Sequence, residues 1–409
     1  MAVNLMPPDA AALLVVPGVK LGYAEAGIRK AGRRDLMLMQ LSAGSRVAGV
    51  FTQNSFAAAP VQVCRAKLAA GTPIRAIIVN AGNANCGTGE QGLAAARRTC
   101  KAVADAIGCA EAEVLPFSTG VILEHLPVDR IEAALPACKA SLAAGPDHWA
   151  SAAQAIMTTD TVAKAVSRSV MIGGVQVSVT GMAKGVGMLQ PNMATMLAFI
   201  ATDAVVTQGA LARLVKEVAD ASFNRVTVDG DTSTNDSFVI AASGQAAHKA
   251  IEGGADYETL KRAISEVAVH LAQCIARDGE GATKFITIDV VGAASSDEAH
   301  VVAKCIAHSP LVKTAFFASD PNLGRLIMAI GNAGIAALDT SRVNLYLGDV
   351  KVIDCGGRAA SYREEDGARV MKPAEIVVRV ELGRGAGAAT VWTCDYSYDY
   401  VKINAEYRT

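Results

Sequence analysis

The sequence predicts an α/β protein, and three features carry that prediction. Short apolar runs of strand length alternate with stretches of helical period through the first third of the chain, and the second half repeats the style. Glycine- and asparagine-rich turns punctuate the runs. The composition, 51% hydrophobic and 19% charged over 409 residues, supplies core enough for two or three domains.

The elements follow in order. Leu36–Met39 and Ser45–Phe51 read as strands. Ala76–Asn80 is a short buried strand, and Ala81-Gly82-Asn83-Ala84-Asn85-Cys86-Gly87-Thr88-Gly89 follows it. Glu90–Ile107 carries a helical stripe at Leu93, Ala96, Cys100, Val103, Ala104 and Ile107. A strand, a Gly-rich loop and a helix outline a phosphate or nucleotide site. The run departs from G-x-G-x-x-G and no Walker lysine follows, so a tight Asn-rich turn shaping a pocket is the better reading. Val114–Ile122 contains a Ser-Thr-Gly turn whose hydroxyl and N–H groups suit a developing oxyanion wherever they face a nucleophile. Ile131–Ala144 and Trp149–Ile156 are amphipathic, and the second leads into the polar run Met157-Thr158-Thr159-Asp160-Thr161. Val170–Ile172 and Val175–Val179 form a hairpin through Gly173-Gly174.

In the second half Thr207 caps a helix with Leu211, Leu214, Val215 and Val218 on one face. The run Asp229-Gly230-Asp231-Thr232-Ser233-Thr234-Asn235-Asp236 lacks the spacing of a calcium loop. Leu260–Ile275 is a strongly amphipathic helix, and Asp278-Gly279-Glu280-Gly281 is the turn after it. Phe285–Val291, Ala374–Val380 and Ala389–Cys394 read as strands, and Asp320-Pro321-Asn322 is a helix start. The terminal segment from Tyr400 to Thr409 is polar enough to fray.

Composition also excludes. The net charge of −1 argues against nucleic acid, and no apolar run approaches a membrane span. The N-terminus lacks the basic region of a signal peptide. Nine scattered cysteines without a C-x-x-C pair read as reduced thiols in a cytoplasmic protein. Six histidines without ligand spacing give no support for a metal.

The most informative stretch is Met182–Ala204, MAKGVGMLQPNMATMLAFIATDA. Turn formers at Gly185, Gly187, Pro191 and Asn192 precede Ala194-Thr195, and the apolar run Met196–Ala201 follows. A threonine there can attack the carbonyl before it. Once the bond is cut, its own α-amine, with a pKa of roughly 7.7–8.0, can serve the hydroxyl as base. This stretch resembles the self-cleavage segment of the ornithine acetyltransferase (glutamate N-acetyltransferase) family: Ala-Thr-Met-Leu after Lys-Gly and Gly-Met, with Thr-Asp-Ala following. The resemblance extends in ordered blocks from Gly49 to Thr409, through the Asn-rich run, Ser-Thr-Gly, Ile-Met-Thr-Thr-Asp-Thr, the Asp229–Asp236 run, Asp-Gly-Glu-Gly and the terminal Asn-Ala-x-Tyr-x-Thr. It departs at Leu123-Glu124-His125, where many members have a glycine.

The resemblance implies a layered α/β sandwich of the ornithine acetyltransferase type, self-cleaved to expose an N-terminal nucleophile. Cleavage between Ala194 and Thr195 yields an α chain, 1–194, and a β chain, 195–409, which pair as α2β2. Thr195 is the nucleophile and Thr119 with Gly120 the oxyanion hole. Thr158, Lys184, Thr195, Glu280, Asn404 and Thr409 contact substrate: Lys184 and Asn404 or Thr409 the carboxylates, Glu280 the side-chain amine. The Asp229–Asp236 run is scaffolding near the nucleophile. The implied reaction moves the acetyl group of N2-acetyl-L-ornithine to L-glutamate by a ping-pong course in arginine biosynthesis, without a cofactor, metal, nucleic acid or membrane. Whether acetyl-CoA is a further donor stays open. Two other readings stand beside it: a self-cleaving threonine amidase or peptidase with water as acceptor, and a nucleotide-binding protein built on Gly82–Gly89.

Overall fold

The alternation of apolar runs becomes three sheets among the described residues, which in this computed structural model are 2–188 and 196–406. They divide into two units. The described residues of 7–224 and 231–275 make the larger, and residues 2–6, 225–230 and 276–406 the smaller.

In the larger unit β1 (Val19–Ala24) and β2 (Leu36–Leu41) pair antiparallel, and β3 (Arg46–Phe51) joins a different sheet. Helix α1 (Ala59–Ala69) precedes β4 (Ala76–Asn83), α2 (Gly89–Ile107) and β5 (Val114–Val121). Strands β4 and β5 are parallel, as a crossover through a helix requires, and the four-stranded order is β1-β2-β4-β5. Helices α3 (Val128–Ala140) and α4 (Pro146–Ala155) lead to β6 (Lys164–Ile172) and β7 (Val175–Lys184). This hairpin turns through Gly173-Gly174, both at positive φ, the geometry a two-residue loop needs to match strand twist. Strand β8 (Leu197–Thr202), α5 (Gln208–Ala221) and β9 (Ser237–Ala242) form a second parallel crossover. The five-stranded order is β3-β9-β8-β7-β6.

Period-two alternation explains the layering. From β2 and β4, Met37, Met39, Ile77 and Val79 join Leu115 and Phe117 of β5 in one core. Met182, Leu197, Phe199, Val239 and Ala241 of the five-stranded sheet complete it, so the two sheets face each other. The Phe117 and Phe199 rings meet edge to face across this core, with centroids 5.0 Å apart. The alternate residues Leu36, Leu38, Ala76, Ile78 and Val114 pack outward on α2 and α3. On the far face of the other sheet lies α6 (Gly254–Arg277): a methyl at Gly181 of β7 would meet Val267 and Leu271 of that helix at 2.8 and 3.1 Å. The expected layered α/β sandwich is therefore present as helix, sheet, sheet, helix.

The smaller unit contains β10 (Phe285–Ala293), α7 (Ser296–His308), α8 (Pro310–Phe317), α9 (Leu323–Gly331), β11 (Asn344–Leu347), β12 (Val350–Asp354), β13 (Gly357–Arg358), α10 (Glu364–Met371), β14 (Glu375–Glu381), β15 (Gly387–Cys394) and α11 (Tyr398–Glu406). Its sheet runs β13-β12-β11-β14-β10-β15 over a core that includes Ile286, Ile288, Val302, Ile306, Val378 and Val391.

One boundary is corrected. Helix α3 ends at Ala140, not Ala144. The Ser141 hydroxyl donates to Cys138 O at 2.8 Å and accepts from Tyr23 N–H at 2.9 Å, and Ala143 then pairs with Leu21. The polar C-terminal segment, whose composition alone suggests fraying and which the family resemblance expects to be folded, forms α11 over its described part. Among the described residues no helix is long and apolar enough to cross a membrane.

The contact beneath Gly181 is a test of the packing. Gly181→Val is expected to cost about 1–3 kcal/mol through overpacking against α6, read as a lowered urea midpoint with unchanged slope.

Candidate active site

The Ser118-Thr119-Gly120 segment is a strand and not the turn expected of it. It ends β5 in parallel register with β4, Asn80 opposite Ser118 and Gly82 opposite Gly120. Glycine serves close approach here. Gly120 has φ +135°, and a Cβ on it would stand 2.2 Å from the Gly82 carbonyl carbon. The Asn-rich run pins these strand ends. Ser118 Oγ donates to Asn80 Oδ1 at 2.6 Å, Asn80 Nδ2 to Asn83 O at 2.9 Å, and Asn83 Oδ1 accepts from Asn85 N–H at 2.7 Å.

Three of the expected residues, Thr119, Thr158 and Lys184, come together. Lys184, the last residue of β7, donates from Nζ to Thr119 Oγ1 at 3.1 Å and to Thr158 Oγ1 at 2.7 Å. Thr158 stands in the loop after α4, so three separate elements meet at one ammonium group. A hydroxyl that accepts from an ammonium is polarised to give its own proton, which suits Thr119 to an oxyanion.

Asp160 organises this cluster. Its Oδ1 accepts from Lys164 Nζ and Gly185 N–H, each at 2.8 Å. Its Oδ2 accepts from Thr158 N–H at 3.1 Å and lies 3.9 Å from Lys184 Nζ. The carboxylate and the Lys164 ammonium are fully enclosed. Burial works to raise the Asp160 pKa, but the Lys164 and Lys184 ammonium groups, with the Lys164 hydrogen bond and the Gly185 amide, hold it well below the ordinary range. A further clamp comes from the β1–β2 loop, where Arg33 donates to Met157 O at 2.5 Å and to Thr158 O at 3.4 Å.

The acidic run after α5 is a latch over the same strand ends. Asn235 Nδ2 donates to Ala84 O at 2.7 Å and to Ser118 O at 2.8 Å. Thr52 Oγ1 donates to Ser233 O at 2.6 Å, and Asn54 Nδ2 to Thr232 O at 2.9 Å. Among the described residues no group of three or more His, Cys, Asp or Glu side chains could hold a metal ion. The Gly87–Gly89 turn borders a cavity of about 370 Å³, shared with Phe56, Gln62 and Leu93.

In the smaller unit Glu280 and Asn404 meet: Asn404 Nδ2 donates to Glu280 Oε2 at 2.9 Å. The Glu280 turn is anchored by Asp395, which accepts from the N–H groups of Thr283 at 2.8 Å and Lys284 at 2.9 Å. Ala194, Thr195 and Thr409 lie outside the described residues.

The ArgJ family model matches residues 20–409. The chain belongs to the ArgJ family. Among solved structures it is similar to arginine biosynthesis bifunctional protein argJ from Bacillus halodurans, at 40% identity over 50% of this chain and 96% of that one, with TM-score 0.48. It is also similar to ornithine acetyltransferase from Mycobacterium tuberculosis in complex with ornithine, at 33% identity over 44% of this chain and 94% of that one, with TM-score 0.38.

In this ArgJ-family chain, sequence reasoning passed over Asp160, Lys164 and Arg33. Asp160 had a local signal, the Thr-Thr-Asp-Thr motif itself, and only Thr158 was taken from it. Lys164 sits four residues on and reads as an ordinary strand residue until the fold buries it. Arg33 meets Thr158 across 125 positions, so no local pattern marks it.

The depressed Asp160 pKa sets a sign. An acid held ionised in the folded state contributes stability above its unfolded pKa of roughly 3.9 and loses that contribution as pH falls below it. Asp160→Asn is therefore expected to lose about 3–5 kcal/mol at pH 7, because two buried cations lose their partner. The gap from wild type should narrow in urea titrations carried below about pH 4.

Proposed function

We propose that this chain transfers the acetyl group of N2-acetyl-L-ornithine to L-glutamate in arginine biosynthesis, through an acyl-enzyme on Thr195. The observation that supports the reading best is the meeting of Lys184, Thr119 and Thr158 over Asp160 in a chain of the ArgJ family. Lys184 supplies a positive charge to a substrate carboxylate. Thr119 Oγ–H and Gly120 N–H supply donors to a tetrahedral oxyanion.

The course has two stages. The Thr195 hydroxyl attacks the Ala194 carbonyl. The amide C–N bond breaks as the ester forms, and water hydrolyses the ester, freeing the Ala194 carboxylate and the Thr195 amine. The α chain, 1–194, and the β chain, 195–409, remain together and pair as α2β2. In the second stage the amine takes the hydroxyl proton as Thr195 attacks the acetyl carbonyl, and ornithine leaves with that proton on its α-amine. The glutamate amine then attacks the acyl-enzyme and regenerates the Thr195 hydroxyl. On the family resemblance, Glu280 takes the ornithine side-chain amine, and Asn404 or Thr409 a carboxylate. Each of these steps uses the chain's own groups, and no cofactor enters them.

Intact mass of the denatured protein is the first measurement. Two chains dividing between Ala194 and Thr195, with acetyl transfer from N-acetylornithine that depends on glutamate, is the expected result. Thr195→Ala should remain one chain and lose transfer by at least ~10³-fold. A variant that stays whole yet keeps full transfer overturns the reading, and turnover independent of any amino-acid acceptor replaces it with an amidase. Acetyl-CoA offered in place of N-acetylornithine decides the second donor. Lys184→Met in the processed enzyme is expected to raise KM by roughly 10–100-fold, the cost of a charged hydrogen bond.

A further inference from the structure

Asp236 closes the acidic run and is 1% exposed. Its carboxyl stands at the head of β8, where Oδ1 accepts from Met196 N–H at 2.8 Å. The next residue holds the other backbone group of Met196, in the peptide unit that follows, Ser237 N–H donating to Met196 O at 3.0 Å. Asp236 is itself tied down, its carbonyl accepting from Thr52 N–H at 2.9 Å. Both backbone polar groups of Met196 are thus held by two consecutive scaffold residues. The Met196 N–H belongs to the peptide bond that leaves residue 195.

The second carboxyl oxygen has no hydrogen-bond partner among the described residues. Burial pushes the Asp236 pKa well above the carboxylate range. The Met196 amide, the Lys184 ammonium on β7 and the Thr52 hydroxyl after β3 act the other way without undoing it. A carboxylate buried with one oxygen unserved is costly, and a carboxylic acid in the same place costs far less.

Resting on the reading of Thr195 as nucleophile, we infer that Asp236 is a positioning residue for it, fixing the peptide that leaves Thr195 through the Met196 amide, and that it acts as an uncharged acid. Position matters because a misplacement of about 1 Å at a reacting group costs on the order of 100-fold. Charge matters because covalent geometry keeps the α-nitrogen of residue 195 within roughly 4 Å of the Met196 nitrogen. A carboxylate there would favour the protonated amine and withhold the base.

Two substitutions separate position from charge. Asp236→Asn keeps the accepting oxygen and stays neutral at every pH, whereas Asp236→Ala removes the acceptor. In the full chain the readouts are the rate at which the mass divides after position 194 between pH 6 and 9, kcat and KM for acetyl transfer, and melting temperature. The Asn variant is expected to divide within about threefold of wild type, with the same pH profile. The Ala variant is expected to divide roughly 10–100-fold more slowly and to lose kcat by a similar factor, with KM held within about twofold.

An Asn variant as slow as Ala, or one that cannot fold, overturns the uncharged role. An Ala variant that divides like wild type overturns the positioning role. If the Ala variant fails to fold, the Asn variant decides alone by its rate and pH profile. A wild-type chain that never divides at this point removes the reading of Thr195, and the inference falls with it. A wild type that divides, with variants indistinguishable from it, overturns the inference and leaves that reading standing.

Discussion

A single buried carboxylate governs the candidate site. Asp160 receives a lysine ammonium and two backbone amides and stands close to a second ammonium, so its acceptor capacity is almost fully used. That saturation keeps Lys164 and Lys184 charged inside a protein, since an ion pair removed from water is held only where its remaining hydrogen-bonding groups are served. It also joins the loop after α4 to the end of β7. Lys184 is consequently fixed in direction, and Thr119 and Thr158 receive its protons rather than bulk water.

The strand directions explain why these groups can meet. Parallel pairs bring like ends together, so β4 and β5 end side by side at Asn80–Asn83 and Ser118–Gly120, while β8 and β9 begin side by side at Leu197 and Ser237, just after Met196 and Asp236. Asn235 bridges from the second pair to the first with one amide group, donating to both Ala84 and Ser118. Ends of parallel strands are a recurrent place for ligand sites because backbone groups there lose their ladder partners and become available. Here asparagine and serine side chains take up most of that capacity and leave the strand ends rigid.

Much of this was legible where the physics is local. The stripe from Leu93 to Ile107 became α2, Gly173-Gly174 became a hairpin turn, and Thr207 became an N-cap accepting from Ala210 N–H. Helix α1 escaped notice because its sequence, APVQVCRAKLA, has little amphipathic contrast. Helix α7 had a usable signal in Ser295, an N-cap whose hydroxyl accepts from Glu298 N–H, while Glu298 Oε1 accepts from Ala294 N–H one residue before the cap. Ser-Thr-Gly was read as a turn from its composition, since close backbone approach and turning ask for the same small residues. The Lys184 contacts span 65 and 26 positions and depend on the fold. The expected residues of the smaller unit, Glu280 and Asn404, meet over 124 positions, a pairing that only the family resemblance had linked.

The strand order of the five-stranded sheet has a topological consequence. Strands β8 and β9 follow position 194 in the chain, while β3, β7 and β6 precede it, and the spatial order is β3-β9-β8-β7-β6. A chain opened between 194 and 195 would leave two strands of the later segment enclosed on either side by strands of the earlier one. Separating the pieces would mean stripping ladders from both edges of that inserted pair and opening the core between the sheets. Opened in this way, the protein would be two polypeptides by covalent count and one folding unit by cohesion. Neither half alone would hold a complete sheet, since the strands that flank β8 and β9 all belong to the earlier segment.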